Sequence, residues 1–242
     1  LEYLPNVRAA WQLSDHHLLW AAVSRAVRTP SRIESDLVAP GIIDRSPGFD
    51  AENVIAYEAG YRGQPVPDAT LSVSVFVNAY DELRTTELSP AGGFPVTFAN
   101  GLAGTTYGVE AWGAYQVLPT WRVSAGLSTL HKDLKLKPGR TDFTNGGSAG
   151  NDPELQASLR SQFDVTDALQ LDLRLRGTDD LRSPRVPGYM EADARLAWRF
   201  SEDVELALVG QNLLHDEHLE NADAAIPRLV PRSVYASLRW GF

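Results

Sequence analysis

Arginine and aromatic residues recur in three long polar stretches of the chain. "RTPSRIESDLVAPGIIDRSPGFD" carries Arg28, Arg32 and Arg45, "LSPAGGFPVTFANG" carries Phe94 and Phe98, and "KLKPGRTDFTNGGSAGND" carries Arg140 and Phe143. A guanidinium offers a planar fork of donors to an oxyanion, and an aromatic face stacks or attracts a cation. Together they suit an anionic or aromatic ligand. Acidic residues are as common in the same stretches, so a merely solvated surface is the competing reading.

A second set of charges sits in strict alternation with apolar residues. In "ALQLDLRLRG", Asp172, Arg174 and Arg176 interleave with Leu171, Leu173 and Leu175; Arg122, Arg160, Arg195, Arg199 and Glu205 occupy equivalent positions elsewhere. Tight turns between such segments would place Arg199 opposite Glu205, Gln116 opposite Arg122 and Arg160 opposite Asp172. Cross-strand pairs of this kind contribute about 0.2–1 kcal/mol each. They could also guide an anion along a wet interior.

Other chemistry is poorly supported. "HDEH" at 215–218 has histidines three apart, but the stretch reads as a strand leaving into a loop, where solvated turn residues are expected. "DHH" at 15–17 reads as a turn, and neither matches a zinc signature. Ser128 and His131 are close in sequence without forming a nucleophile–base pair, and no Gly-x-Ser-x-Gly is present. With no cysteine, thiolate zinc sites and cysteine nucleophiles are excluded. The expectation is a protein that is not an enzyme, with no catalytic residues, no metal ligands and no cofactor.

The elements that position these residues are strands. Period two dominates, as in "LSVSVFVN", "LQASLRSQF" and "MEADARLAWRF", where apolar residues take one parity and polar ones the other. Short connectors such as "GQPVPD", "LPT" and "SED" alternate with long ones at roughly 27–52, 83–103, 133–152, 178–187 and 214–229. That is an antiparallel meander with unequal ends. Its segments approach the length a tilted strand needs to cross a bilayer. Tyr107, Trp121, Phe163, Tyr189, Trp198, Phe200, Trp240 and Phe242 fall at segment ends, as interfacial girdles would. A soluble sandwich or small barrel also alternates, but a dry core would not accept the charged parity.

Composition agrees. Hydrophobic residues make up 43% of the 242, so disorder is not expected, and a net charge of −9 argues against nucleic acid as a partner. No run of about 18 apolar residues marks a membrane helix. There is no basic, then apolar, leader at the start and no Met at position 1, so a fragment or processed chain is expected.

The segments "LLWAAVSRAVRTPS", "NVIAYEAGYR", "LSVSVFVNAYDELRTTE", "TTYGVEAWGAYQ", "VPGYMEADARLAWRF" and "GQNLLHDEHLE", with the closing aromatic, resemble the barrel of TonB-dependent outer-membrane receptors. The resemblance implies import of a scarce nutrient across the outer membrane of a Gram-negative bacterium, most plausibly a ferric siderophore. The arginines and phenylalanines of the long loops would then face a catecholate or hydroxamate chelate. TonB would act through a plug-bearing N-terminal region, and the last strand, with Tyr235, Trp240 and Phe242, resembles the signal read by the outer-membrane assembly machinery. "QNLL" at 211–214 resembles a family element in which Asn212 satisfies backbone where the strand bends away. Glu58 and Arg62, sharing a parity with Gly60, read as wall packing.

Eleven strands are expected, at about 5–13, 17–27, 53–62, 69–81, 104–117, 121–133, 153–163, 168–178, 188–200, 203–213 and 231–242. Bacterial barrels have even counts and plugged transporters about 22 strands. Residues 1–242 are therefore expected to be the C-terminal half of a barrel, an open sheet with two raw edges, with the plug and earlier strands absent. A passive porin-like channel or structural barrel is the alternative.

Overall fold

The computed structural model describes residues 2–89, 92–144, 146–221 and 228–241. In chain order the first elements are β1 (Asn6–Ser14), β2 (His17–Arg28), a short helix α1 (Arg32–Asp36), β3 (Glu52–Gly63), β4 (Ala69–Leu88) and β5 (Val96–Leu118). Then come β6 (Trp121–Thr129), β7 (His131–Leu136), β8 (Leu155–Thr166), β9 (Leu169–Thr178), β10 (Leu181–Arg182) and β11 (Arg185–Val186). The chain closes with β12 (Tyr189–Arg199), β13 (Val204–Gln211), β14 (Glu217–Asn221), β15 (Arg228–Pro231) and β16 (Ser233–Trp240).

Eleven of these strands form one antiparallel meander in the order β1-β2-β3-β4-β5-β6-β8-β9-β12-β13-β16, and β7 pairs with β5 beside that path. The expected eleven-strand wall is present. Among the described residues β1 pairs only with β2, and β16 only with β13, so the sheet is open. No helix among the described residues is long and apolar enough to cross a membrane, which says nothing of strands.

Period two sorts the side chains onto two faces. Val7, Trp11, Val75, Val77, Leu159, Leu173, Leu196, Leu208 and Leu238 share one parity through the registered pairs, and all are solvent-accessible. A continuous apolar face of this extent is far larger than the few hundred Å² that a water-soluble monomer exposes. The polar parity lines a cavity of about 1040 Å³ bordered by residues of β5, β6, β8, β9, β12 and β13. The sheet therefore curves with its charged face inside.

The long connections carry more structure than the sequence reading assigns, including α1 within 27–52 and the β10–β11 pair within 178–187. Residues 83–103 were expected to be a loop, yet β4 runs to Leu88 and β5 starts at Val96, giving strands of 20 and 23 residues. A tilted strand crosses a bilayer in about 9–11 residues, so this hairpin projects well beyond the rest. Thr85, Thr86, Val96 and Phe98 favour strand, but the turn residues between them and irregular registers after Tyr80 and Leu83 disguise the periodicity. Residues 133–136 belong to β7, and the hairpin β14–β15 lies within 214–229. At Gly104, φ is +148°, and a Cβ would lie 2.1 Å from the Asp133 carbonyl oxygen. Only glycine lets β5 bend and β7 approach there.

The core is thin. Buried apolar residues are Phe49, Val96 and Leu102 at the long-connection end, with Ala22, Val186, Ala197 and Ala207 elsewhere. On the wall itself, close packing is local: a Cβ on Gly60 would lie 2.6 Å from the ring of Trp20, its cross-strand partner.

Candidate functional site

The long connection between β2 and β3 folds onto the β4–β5 hairpin, and a buried carboxylate holds it there. Ser31 caps α1 by accepting from the Glu34 amide, while the Glu34 carboxylate accepts from the Ser31 amide at 2.8 Å. This reciprocal capping box satisfies two otherwise orphaned N–H groups. The same carboxylate, 5% exposed, accepts from Arg28 at 3.0 Å and from Arg84 of β4 at 2.7 Å. Burial pushes the Glu34 carboxyl up, but hydrogen bonds from Arg28, the Ser31 backbone and Arg84 outweigh it and hold the group down at about 2. Arg28 also binds Glu52.

Beyond the helix the connection is stitched to β5 by its backbone. Asp44 donates to the Val96 carbonyl at 2.9 Å and Val96 donates to Ile42 at 2.8 Å. Phe98 donates to the Ser46 hydroxyl at 2.8 Å, and Asp50 to the Asn100 side chain at 2.7 Å. Phe49 packs 6.3 Å from Phe98, over which Arg84 lies at 5.8 Å. On the other side, Thr86 donates to Asp142 at 2.8 Å and accepts from the Phe143 amide at 2.6 Å, fixing the 137–144 segment to the same hairpin. Burial pushes the Asp142 carboxyl up, but the bonds it accepts from Thr86, Thr144 and Gly146 outweigh it and hold the group below its usual range.

The seven loop residues singled out in the sequence divide accordingly. Phe94 and Phe143 meet edge to face at 5.9 Å, and both are 57% exposed. Arg140 lies 3.4 Å from Glu87. Phe98 is half-buried and Arg28, though exposed, is held by Glu34 and Glu52; joined through Glu34 and Arg84, both form part of the scaffold. Arg32 is 95% exposed and pairs with Asp36 one turn on. The Arg45 guanidinium is exposed, with no side-chain partner among the described residues.

On the concave wall, Arg199 lies across from Glu205 and Gln116 across from Arg122, as expected. The third register differs. Arg160 lies directly across from Arg174, and Gln162 across from Asp172, because the β8–β9 turn carries an irregularity between Asp164 and Thr166. Arg160 still binds Asp172, reaching diagonally with N–H···O distances of 2.9 and 3.0 Å. Glu205 is bound by Arg195 at 2.6 Å rather than by Arg199. Ala197 and Ala207, on the same face between those two partners, are buried. Arg176 binds Glu220 at 2.9 Å, while Arg122, Arg174 and Arg199 have no carboxylate partner among the described residues.

Three expectations need correcting. Tyr189 turns to the inner face, where its ring lies 4.4 Å from His218 and 5.4 Å beneath Arg176, so it is no girdle residue. The "HDEH" histidines are not both solvated turn residues. His215 Nδ1 lies 2.7 Å from the fully buried Glu191 carboxylate, and His218, 6% exposed, lies between Glu191 and Glu220. His17 is a strand residue whose Nδ1 lies 2.6 Å from the Tyr61 hydroxyl. Of the assembly-signal residues, Tyr235 and Trp240 fall on opposite faces of β16, as the alternation of the tail requires, and Phe242 lies outside the described residues. Asn212 behaves as read: in the left-handed region at φ +56°, its side chain donates to the Pro231 carbonyl at 3.1 Å.

Sequence reading missed Glu34, Arg84 and Glu191. The Ser31-x-x-Glu34 spacing is a capping-box signature that could have located the first; nothing local marks the other two, whose partners are distant in sequence.

An open, two-faced antiparallel meander of long strands, apolar outside and charged inside, defines the wall of a membrane β-barrel. Residues 2–213 match the family described as "TonB dependent receptor-like, beta-barrel", and the chain belongs to it. Among solved structures, the chain is similar to the ferric-catecholate import receptor Fiu of E. coli, with a TM-score of 0.77 at 18% identity, covering 98% of this chain and 34% of Fiu. It is also similar to the ferric enterobactin receptor PfeA of Pseudomonas aeruginosa, with a TM-score of 0.78 at 15% identity over 100% of this chain and 41% of PfeA. For the copper transporter OprC the TM-score is 0.74 at 15% identity, covering 98% and 39%. The chain thus spans roughly two-fifths of the structures it matches, and at these identities the likeness is one of fold. No curated protein sequence matches.

Proposed function

We propose that this chain is the C-terminal part of the barrel of an outer-membrane receptor in a Gram-negative bacterium, importing a metal chelate, in the first instance a ferric siderophore. The observation that carries the reading is the ordered cap at the long-connection end. A buried Glu34 knot and backbone stitching position an exposed Phe94–Phe143 pair, with Arg140 nearby, above a polar concave wall. Rings and guanidinium groups held on a rigid scaffold suit an anionic, aromatic chelate. Bare copper is a weaker fit, since soft sulfur ligands favour that metal and the chain has no cysteine and a single methionine, Met190, on a strand.

The wall carries out no covalent chemistry. In this reading Arg122, Arg160, Asp172, Arg174, Arg176, Arg195, Arg199 and Glu205 line the interior against which a plug encoded elsewhere in the whole protein moves when TonB pulls on it. The lipid bilayer covers the apolar face, and β16 is the strand offered to the assembly machinery. The test is uptake of radiolabelled ferric catecholate and hydroxamate chelates by cells lacking the full gene. Loss of one chelate's uptake, also abolished by collapsing the proton-motive force, is expected. Unchanged uptake of every chelate removes the siderophore reading, and uptake that persists without the proton-motive force makes the barrel a passive channel.

A further inference from the structure

We propose that His218 is a proton-operated latch that holds strand β14 against the inner rim of the wall at low pH and releases it as pH rises. The cluster stands independently of what the barrel transports. His218 lies with Nε2 2.8 Å from the Glu220 carboxylate and Nδ1 3.4 Å from the Glu191 carboxylate. Its ring is 6% exposed and lies 4.4 Å from the Tyr189 ring, tilted by 37°, while Glu191 is fully buried. Nδ1 is buried without a hydrogen-bond partner among the described residues.

That orphan atom is the informative one. A neutral imidazole has one N–H and one lone pair. If Nε2 donates to Glu220, the Nδ1 lone pair faces a buried carboxylate oxygen; if Nδ1 carries the proton, Nε2 faces Glu220 with a lone pair instead. Only the imidazolium, a donor at both nitrogens, answers both carboxylates. A small approach of Glu191 to Nδ1 would complete the second bond.

The surroundings set the sign. Glu191 of β12 also accepts from His215 at 2.7 Å and from the Leu214 amide at 3.1 Å, so its charge remains partly met when His218 is neutral. Glu220 is shared with Arg176 of β9 at 2.9 Å. Arg176 also faces Asp193 of β12 at 4.0 Å, and β11 contributes the buried Val186 and the exposed Arg185. Deprotonating His218 therefore removes one cation from between two carboxylates while every other partner stays in place. The imidazolium therefore holds β14 against β12, and loss of its proton loosens that hold.

The test uses the full-length protein in detergent micelles, spin-labelled through Leu229→Cys on β15, the strand paired with β14, and Leu173→Cys on the outer face of β9. At pH 5.5 one narrow distance population is expected. At pH 8.0 a second, longer population should grow at least about fivefold. His218→Phe keeps the ring against Tyr189 but carries no proton, and Glu191→Gln removes the charge; each should give the same distribution at both pH values. His215→Asn, which leaves both carboxylates on His218, should retain the response. An unchanged wild-type distribution between pH 5.5 and 8.0 overturns the proposal, as does a response that survives in Glu191→Gln.

Discussion

Arg28 and Arg84 at the long-connection end, and Arg122 and Arg174 on the concave wall, are the same side chain in opposite circumstances. The first two converge on Glu34, a carboxylate buried beneath the β2–β3 connection. The second two face a wide wet groove, with Arg174 directly across from another arginine and the nearby Asp172 already bound by Arg160. A buried carboxylate fixes its cations in place and makes them architecture. An open groove leaves its cations screened and uncommitted. The difference teaches that an arginine at the long-connection end is not thereby free: Arg28 is exposed but held by Glu34 and Glu52, whereas Arg45 is exposed with no side-chain partner among the described residues.

The comparison breaks first at Glu34. Glu34→Ala removes the shared acceptor of two part-exposed guanidinium groups and half of the capping box, at a cost of about 1–2 kcal/mol. Hydrogen exchange across residues 30–50 should accelerate by about one order of magnitude in the full-length protein while the wall strands stay protected. Equal protection in the variant would mean the knot is decorative.

On the wall, packing should matter more than charge. Gly60→Val drives methyl groups into the Trp20 ring, and overpacking of this kind costs about 1–3 kcal/mol. The urea midpoint of the detergent-folded protein should fall accordingly; an unchanged midpoint would show that Trp20 swings away freely.

Acid gives a graded version of the first test. The Glu34 carboxyl lies at about 2 against an ordinary 4.5, a depressed value. Its contribution is therefore complete above pH 4.5 and is lost as pH falls toward 2. Exchange in the 30–50 segment should rise over that interval, and Glu34→Ala should flatten the curve.

The smallest effect is expected at Arg174. Like charges directly opposite on a sheet are destabilising, so Arg174→Gln should raise the urea midpoint by the equivalent of about 0.2–1 kcal/mol. Arg160→Gln relieves the same repulsion but also frees Asp172, so its midpoint should stay below that of Arg174→Gln. An unchanged midpoint in Arg174→Gln would show that the arginines do not sense one another.

Much of the wall was legible because period two needs no long-range information. Leu171, Leu173 and Leu175 against Asp172, Arg174 and Arg176 state both the strand and its two faces. Eleven such segments, joined by alternating short and long connectors, give the meander. The cap was not legible. Phe98 and Arg84 read as loop residues because Pro and Gly interrupt the pattern near them, and their partners Phe49 and Glu34 lie about 50 residues away in sequence. The register error at Arg160 has a smaller cause, one irregularity in the turn before β9, enough to replace an expected acidic neighbour with a basic one. His218 was misread for the same reason as the cap: the buried Glu191 that encloses it is 27 positions upstream on another strand.

The stitching of the β2–β3 connection to β5 also implies an order of events. Leu88 and Val96 meet across a short turn, whereas Asp44 and Val96 are more than 50 residues apart when they bond. Closing the longer loop costs more entropy before any contact rewards it. The β4–β5 hairpin is therefore expected to zip first and to serve as the template on which the connection crystallises into place. During biogenesis the mouth of the barrel would stay unsealed until that hairpin stands, so a mutation that slows β4–β5 pairing should delay the appearance of the finished rim without touching any residue in it.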